Sequence, residues 1–276
     1  MRRLLACLVL LLMPALAAAS PCPHEALRTL DLDAAGLRQA RFVLGAADLE
    51  VIGVPGLTRV EVRGHACASD SSALAGMTLE SQRQGDAVVV TAKMQNGSGG
   101  WFSWDSRRFT LSVRVPVALA LTVGTGSGDV DAQQVAALDV TSGSGDISAR
   151  TIAGAVGLWL GSGDARLTDI GSLDLRGTGS GDVHAERVRG DVRAGHAGSG
   201  DLDFEGVGGS VDVAGTGSGD VTARDVRGNV RVGSTGSGDV FISGVGGSLT
   251  VGATGSGDIR YRDVKGTVNV PHRAGD

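Results

Sequence analysis

Eight copies of the tetrapeptide Gly-Ser-Gly-Asp carry the residues of this chain that are most suited to chemistry. Their aspartates recur every 17 to 19 residues, at Asp129, Asp146, Asp164, Asp182, Asp201, Asp220, Asp239 and Asp258. A glycine-rich corner that ends in a carboxylate could cradle a phosphate, bind calcium, supply catalytic acids, or only turn the chain. The phosphate role fits worst, because phosphate loops open a helix and usually bring a lysine, and the repeats have neither.

Calcium binding is the stronger of the chemical roles, because the corners resemble the nonapeptide repeats that bind calcium between the coils of a β-roll. The period here is about 19 rather than 9 residues, and the apolar residue follows the aspartate directly. The carboxylates that a calcium site would use are Asp182, Asp201, Asp220, Asp239 and Asp258. We favour the alternative that each aspartate accepts backbone or serine hydrogen bonds within its own turn, which predicts no metal and no cofactor.

Catalysis is disfavoured because a catalytic carboxylate needs one distinct environment, whereas this one is repeated eight times. The short segments between the corners also leave little chain with which to build a concave pocket. We therefore expect the protein not to be an enzyme.

The segments between the corners have the apolar pattern of short β-strands. In the last five copies, apolar residues recur 1, 3, 6, 10 and 12 positions after the aspartate, as in Val183, Ala185, Val188, Val192 and Ala194. This alternation indicates strands, and a single unit cannot bury its own apolar face. Stacking one unit per coil, about 4.8 Å apart, would form a continuous core. The pattern predicts an all-β fold, a single-stranded parallel β-solenoid (β-helix) with about 19 residues per rung.

The chain divides into four segments. Arg2 and Arg3, an apolar run and Ala17-Ala18-Ala19 are typical of a secretory signal peptide. Gly45-Ala46-Ala47-Asp48-Leu49 imitates the repeat and indicates degenerate rungs before the regular ones. The expected division is a signal peptide at 1–19, degenerate N-terminal rungs and a cap at 20–125, the regular solenoid at 126–270, and a tail at 271–276.

Cysteine usage and charge indicate an exported protein that does not bind nucleic acid. Removal of the signal peptide leaves Cys22 and Cys67, an even pair that predicts a disulfide in an oxidising compartment. Loss of Arg2 and Arg3 takes the formal net charge from −5 to −7. An acidic chain without clustered basic residues argues against phosphate-neutralising contacts with nucleic acid. No later apolar run is long enough for a transmembrane segment in the mature chain.

One segment departs from the repeat. Residues 95–108 read QNGSGGWFSWDSRR and place Trp101, Phe102 and Trp104 on a glycine-rich loop next to two arginines. Aromatic residues beside arginine are typical of contact surfaces, so these three residues are candidates for partner binding. The alternative is that the loop folds back and covers an open end or side of the solenoid.

Charged residues also recur at one outward position of the repeat, as Asp174, Arg193, Asp212 and Arg231. Opposite charges on neighbouring strands contribute about 0.2–1 kcal/mol each. The alternative is a solvated face without specific pairing. If the charges pair, Arg193→Asp lowers the melting temperature more than Arg187→Asp does.

The segment LSVRVPVALALTVGTGSGDV, together with the rungs and the signal peptide, resembles the DUF4097/DUF2807 group, whose members are named putative adhesins and are related to toast-rack domains. The resemblance covers roughly Thr29 to Val270. It implies an exported β-helix, and it brings no catalytic residues with it. Some relatives belong to systems that sense envelope stress.

The sequence therefore predicts an exported, non-enzymatic β-solenoid of a bacterium, periplasmic or secreted to the cell surface. We expect it to act as an adhesin or interaction scaffold that contacts an envelope component, either a glycan or a protein. One alternative is a periplasmic sensor or regulatory module for envelope stress, and a second is a calcium-stabilised secreted scaffold. The sequence names neither the partner nor the oligomeric state.

Overall fold

A computed structural model describes residues 22–94 and 107–271, which form β-strands and one short helix. The elements are β1 (His24–Asp33), β2 (Gln39–Gly45), β3 (Asp48–Val54), β4 (Arg59–Ala68), α1 (Ser71–Ala75), β5 (Met77–Gln84), β6 (Ala87–Met94), β7 (Arg107–Pro116), β8 (Ala120–Thr125), β9 (Val130–Gln133), β10 (Ala137–Ser142), β11 (Ile147–Leu160), β12 (Ala165–Thr178), β13 (Val183–Val188), β14 (Val192–Ala197), β15 (Leu202–Val207), β16 (Val211–Thr216), β17 (Val221–Val226), β18 (Val230–Thr235), β19 (Val240–Val245), β20 (Leu249–Thr254), β21 (Ile259–Val264) and β22 (Val268–Asn269). The chain is an all-β parallel solenoid of about eight turns with roughly 19 residues per rung, as the periodicity predicts.

Each coil contributes one strand to each of two parallel stacks, which we name sheet A and sheet B. Sheet A holds the strands that follow each aspartate, namely β3, β9, the first halves of β11 and β12, β13, β15, β17, β19 and β21. Sheet B holds the strands that precede the next corner, namely β2, β8, β10, the second halves of β11 and β12, β14, β16, β18, β20 and β22. The core lies between the two sheets.

The period-2 pattern explains the core. Val183, Ala185 and Val188 point inward from β13 and are at most 1% exposed, while the residues between them are partly exposed. Val192 and Ala194 point inward from β14 and are at most 4% exposed. Burial of these small apolar side chains against the coils above and below is the main stabilising contribution, at about 25 cal/mol per Å² of apolar surface removed from water.

The N-terminal region contains two degenerate rungs and three strands of the opposite kind of pairing. β2 and β3 form one rung, because they pair in parallel with β8 and β9, and Gly45 to Asp48 is the corner between them. β6 and β7 add a second layer, because they pair in parallel with β2 and β3. The strands β1, β4 and β5 differ from the expected parallel rungs. β4 pairs antiparallel with both β1 and β7, and β5 and β6 form a hairpin. Alternating apolar residues suit parallel and antiparallel strands alike, so the pattern did not distinguish them.

A helix turn and a disulfide secure the N-terminal end. The Asp70 side chain caps α1 by accepting a hydrogen bond from the Ala73 N–H at 2.8 Å. Arg28 on β1 donates to the carbonyl oxygens of Leu74 and Met77. Cys22 and Cys67 form the predicted disulfide, with Cα atoms 5.6 Å apart, and it joins the start of β1 to β4.

Candidate functional site: the aspartate ladder and the groove beside it

The repeated aspartates form a continuous hydrogen-bonded ladder along one edge of the solenoid, which we name the aspartate ladder. In each step, the Oδ1 atom of one aspartate accepts the backbone N–H of the aspartate in the following coil. Asp201 N–H donates to Asp182, and Asp220 N–H donates to Asp201, both at 2.8 Å. The same bond joins Asp48 to Asp129, Asp129 to Asp146, Asp146 to Asp164, Asp164 to Asp182, Asp220 to Asp239, and Asp239 to Asp258, at 2.7–3.2 Å.

The ladder corrects the expected partner of each carboxylate, because the bond crosses between coils instead of closing the aspartate's own turn. Carboxylates stacked about 4.8 Å apart repel one another by roughly 0.9 kcal/mol per pair even in water. A hydrogen bond to a charged acceptor contributes about 1.5–3 kcal/mol, enough to offset that repulsion. The calcium candidates Asp182, Asp201, Asp220, Asp239 and Asp258 all belong to this ladder.

The glycine before each aspartate is required by close approach of the coils. A Cβ at Gly200 would overlap the carbonyl oxygen of Gly181, one coil earlier. At each equivalent glycine, a Cβ would likewise overlap the carbonyl oxygen of the glycine one coil earlier. These glycines are Gly145, Gly163, Gly181, Gly219, Gly238 and Gly257. Glycines repeated at a turn predict a positive φ angle. That prediction is wrong for these glycines, because their backbone does not lie in the left-handed region.

A buried hydroxyl four residues before the aspartate completes the corner in several coils, and the sequence reading missed it. Thr216 Oγ1 donates to the carbonyl oxygen of Gly219 at 2.8 Å, and Ser142 Oγ donates to that of Gly145 at 2.9 Å. Thr125 and Thr178 make the same bond. Thr235 occupies the same position, but its buried Oγ1 has no hydrogen-bond partner among the described residues.

Each regular coil also has a left-handed backbone position five residues after the aspartate, at or near the end of its sheet A strand, and we name this position the second corner. Its residues share φ angles between 54° and 67° and are Gln134, Thr151, Asp169, Arg187, Gly206, Asp225, Gly244 and Asp263. Six of the eight are not glycine, although the left-handed region costs most other residues about 1–2 kcal/mol. The conformation is therefore constant at this corner while the residue type varies.

Beside the ladder, the outer face of sheet A forms an open groove of about 610 Å³, which we name the ladder groove. Its charged and polar lining consists of Asp48, Glu50, Arg108, Thr110, Asp129, Asp131, Asp146, Ser148, Arg150, Asp164, Arg166, Asp182 and His184. Carboxylates outnumber basic groups in this lining, so the groove is acidic. It is a surface on which a partner can lie, since it is open along its length.

Ion pairs between coils order the side chains of this face. Arg150 donates to Asp131 of the preceding coil at 2.6 Å. His184 contacts Asp203 at 3.3 Å and Glu186 at 2.9 Å. The hydrogen bond with His184, and to a smaller degree Arg187, lowers the pKa of the Glu186 carboxyl. Glu186 is therefore ionised at neutral pH.

An arginine that binds both oxygens of one carboxylate lies at the second corner, not on the predicted charge ladder. Arg187 Nε donates to Asp169 at 2.7 Å, and its Nη2 donates to the other carboxylate oxygen at 3.3 Å. This pairing lowers the pKa of Asp169 and raises that of Arg187. Arg193 lies beside Asp174 and Asp212 in register, yet its ion pair is with Asp191, at 3.3 Å in its own coil.

The remaining sequence predictions fall outside this geometry. Trp101, Phe102 and Trp104 lie outside the described residues, as do the signal peptide at 1–19 and the tail from 272 onward. Within residues 22–94 and 107–271, no helix is long and apolar enough to cross a membrane. The same residues contain no group of three or more His, Cys, Asp or Glu side chains placed to hold a metal ion.

Known proteins resemble this chain over part or most of its length. A family model described as Toastrack DUF4097 matches residues 61–213. No curated protein matches the chain. A "putative adhesin" of Parabacteroides merdae is 9% identical, covers 90% of this chain and 97% of its own, and has a TM-score of 0.44. A "putative adhesin" of Parabacteroides distasonis is 14% identical, covers 88% and 96%, and has a TM-score of 0.41. A "putative cell adhesion protein" of Clostridium sporogenes is 11% identical, covers 89% and 98%, and has a TM-score of 0.32.

Proposed function

The chain belongs to the Toastrack DUF4097 family, and on that premise we propose that it is an exported, non-enzymatic scaffold that contacts a component of the bacterial envelope. The observation that carries this proposal is the aspartate ladder. Its carboxylates bind the backbone of the next coil, so the most repeated chemical group of the chain serves the fold. The surface that remains for a partner is the ladder groove on the outer face of sheet A.

Export is supported by two features of the N-terminal segment. Residues 1–19 have the charge, apolar core and cleavage site of a signal peptide. The Cys22–Cys67 disulfide suits an oxidising compartment such as the periplasm or the cell exterior. We propose that the mature chain begins near Ser20 and that residues 20–125 close one end of the regular solenoid at 126–270.

A structural role for the aspartates argues against catalysis. A general acid or a nucleophile needs a perturbed pKa in a single, water-excluding place. The ladder instead gives each carboxylate nearly the same backbone partner, and the groove beside it is open to solvent. The groove offers many weak, similar contacts along its length, which suits adhesion to an extended partner.

The acidity of the ladder groove indicates the chemistry of that partner. Amino groups of a basic protein segment, or the hydroxyl groups of a glycan, would find carboxylate acceptors such as Glu50 and Asp131 along the groove. Arg108 lines the groove, and Trp104 precedes it by four residues. We therefore propose that Trp101, Phe102 and Trp104 contribute to the same contact.

Cell fractionation and affinity capture test the proposal together. The mature protein should be recovered from the periplasm or the cell surface, with a mass that corresponds to a chain starting near Ser20. Affinity capture should then recover it together with its cross-linked envelope partner. Glu50→Lys/Asp131→Lys reverses charge in the ladder groove and should abolish capture. Asp212→Lys, on the outer face of sheet B, is the matched control and should retain capture. A cytoplasmic protein, or equal capture by both variants, would contradict the proposal.

The aromatic segment is tested separately. Trp101→Ala/Trp104→Ala should reduce capture and leave the melting temperature within about 2 °C of the unsubstituted protein, because surface substitutions usually change stability by less than 0.5 kcal/mol. A large fall in melting temperature would show instead that the segment covers part of the solenoid core.

A further inference from the structure

Sheet A continues beyond β3 through β7 and β4 to β1, so β21 and β1 are the edge strands at its two ends. At the C-terminal end, β21 pairs with β19, and among the described strands no other pairs with it. At the N-terminal end, β1 pairs with β4, again without a second partner among the described strands. Each edge strand presents a row of backbone donors and acceptors, which is a template for another strand.

The C-terminal edge carries two arginines on its outer side, of which Arg260 also pairs with Asp258 and Asp239 of its own chain, and apolar residues on its inner side. Arg260 and Arg262 point outward from β21, while Ile259 and Tyr261 occupy the inward positions. Tyr261 is 48% exposed, although the corresponding residue of the preceding coil, Ile242, is 2% exposed. The apolar interior of the solenoid thus reaches solvent at this end.

The N-terminal edge has the complementary pattern. Asp31 and Asp33 point outward from β1 and are exposed, and Asp31 also pairs with Arg63 of β4 at 2.8 Å. Leu30 and Leu32 point inward and are partly buried against the core. Acidic residues therefore lie on the outer side of this edge and apolar residues on its inner side, in the same alternation as in β21.

The direction of β1 is the one that parallel pairing with β21 would require. β1 is antiparallel to β4, β4 is antiparallel to β7, and β7 is parallel to β3. It follows that β1 runs in the same direction as the strands of the solenoid, including β21. A second copy translated along the solenoid axis would present β1 to β21 as a parallel strand.

We propose that β21 of one copy pairs in parallel with β1 of a second copy, so that the chains assemble head to tail. Aligning inward with inward residues sets Ile259 against Leu30 and Tyr261 against Leu32. The outward arginines Arg260 and Arg262 then lie opposite Asp31 and Asp33. Such a heterologous contact leaves the opposite edge of each copy open, so it continues into a filament unless the rotation closes a ring.

The chain already uses the same charge pairing between its own coils. Arg224 on β17 donates to Asp203 on the preceding strand at 2.9 Å, as Arg150 does to Asp131. Pairing of β21 with a second β21 is disfavoured. Antiparallel strands place outward residues opposite outward residues, so arginine would face arginine in either register, and like charges directly opposite are destabilising.

Charge reversal at each end tests the assembly, measured by sedimentation velocity from about 1 to 200 µM at low salt. The unsubstituted mature protein should form concentration-dependent oligomers. Arg260→Glu/Arg262→Glu should weaken association about ten-fold, and so should Asp31→Arg/Asp33→Arg, because each variant replaces two attractive pairs, each worth up to about five-fold, with repulsive ones. The chain that carries all four substitutions restores opposite charges at the contact and should associate again. Arg231→Glu, in the middle of the solenoid, is the control and should associate normally.

Circular dichroism of each variant establishes that it is folded before its oligomers are measured. A monomer at every concentration would overturn the proposal, and so would oligomers that neither end variant weakens. A third result would also overturn pairing with β1. In that case the β21 variant alone loses association and the variant with all four substitutions does not regain it, which would assign a different occupant to the C-terminal edge.

Discussion

Two positions of every regular coil, the aspartate corner and the second corner, are constant in different ways. At the aspartate corner the sequence Gly-Ser-Gly-Asp is repeated eight times. At the second corner, five residues later, the φ angle stays between 54° and 67° while the residue is Gln, Thr, Asp, Arg or Gly. The corner with the left-handed backbone is thus the one whose sequence varies, which reverses the usual association of glycine repeats with positive φ.

The difference shows which physical constraint is stricter. A left-handed φ angle costs a residue other than glycine about 1–2 kcal/mol, which neighbouring contacts can offset. A Cβ at the aspartate corner would instead overlap a backbone carbonyl of the preceding coil, and the backbone cannot move without breaking the coil-to-coil hydrogen bonds. Close approach therefore fixes the sequence, whereas conformation alone does not.

Two glycines of one coil provide the largest test of this comparison. Gly200→Ala should destabilise the protein by about 3 kcal/mol or more, because the new methyl group overlaps the carbonyl oxygen of Gly181. Gly206→Ala, whose Cβ would lie 3.7 Å from the nearest atom, should cost only about 1 kcal/mol for its φ angle of 66°. Urea unfolding measures both, and equal costs would contradict the ranking of the two constraints.

The buried hydroxyls sharpen the account of the aspartate corner. Thr216→Val should destabilise the protein by about 1 kcal/mol, because it removes the hydrogen bond to the Gly219 carbonyl and keeps the shape. Thr235→Val should be neutral or stabilising, because its buried Oγ1 has no partner in the described part of the chain. The melting temperatures of the two variants are compared directly. A larger loss of stability in Thr235→Val than in Thr216→Val would show that these hydroxyls do not stabilise the corner through the hydrogen bond to the glycine carbonyl.

At the second corner a substitution should raise stability. Thr151 is β-branched and has a φ angle of 57°, so Thr151→Gly should relieve strain and stabilise the protein by roughly 0.5–1 kcal/mol after the chain-entropy cost of glycine. Thr168→Gly, one residue before the corner of the next coil, is the control and should destabilise. If Thr151→Gly destabilises as well, the left-handed backbone there is not strained.

Side-chain pairing at the second corner gives the smallest effect. Arg187→Asp should lower the melting temperature more than Arg193→Asp, because Arg187 binds both carboxylate oxygens of Asp169. The contacts thus reverse the order that the charge pattern alone predicts. An equal or larger effect of Arg193→Asp would restore the charge ladder of Asp174, Arg193 and Asp212.

The same pair has a defined pH dependence. Since Arg187 lowers the pKa of Asp169, the pair stabilises the folded state fully above the ordinary aspartate pKa near 4. Its contribution is lost as the pH falls through the lowered folded-state pKa. Asp169→Asn should therefore reduce the loss of stability between pH 4 and pH 2, measured by urea unfolding, and should leave the slope above pH 5 unchanged.

The sequence predicted the solenoid well because its core obeys one rule, the alternation of inward and outward residues, which repeats with the aspartates. Val183, Ala185 and Val188 are buried as expected. The antiparallel pairing of β1 with β4 was not predicted, because the alternation of apolar residues does not encode strand direction.

The candidate site was predicted less well, for reasons of three-dimensional proximity. Asp201 binds the backbone of Asp220, 19 residues away, and a pattern within one turn cannot show that. The left-handed corner at Thr151 or Arg187 carries no glycine to mark it. The hydroxyl at Thr216 could have been found, because Thr or Ser precedes six of the eight Gly-Ser-Gly-Asp copies.

Hydrogen exchange at the Asp239 amide tests the aspartate ladder most directly. That N–H donates to Asp220 of the preceding coil at 2.7 Å, so Asp220→Ala should accelerate its exchange while the amides of residues 217–220 change little. The protection in the unsubstituted protein should be the same with millimolar calcium or with EDTA. Acceleration confined to residues 217–220, or protection that depends on calcium, would contradict a ladder formed between coils by carboxylate and backbone alone.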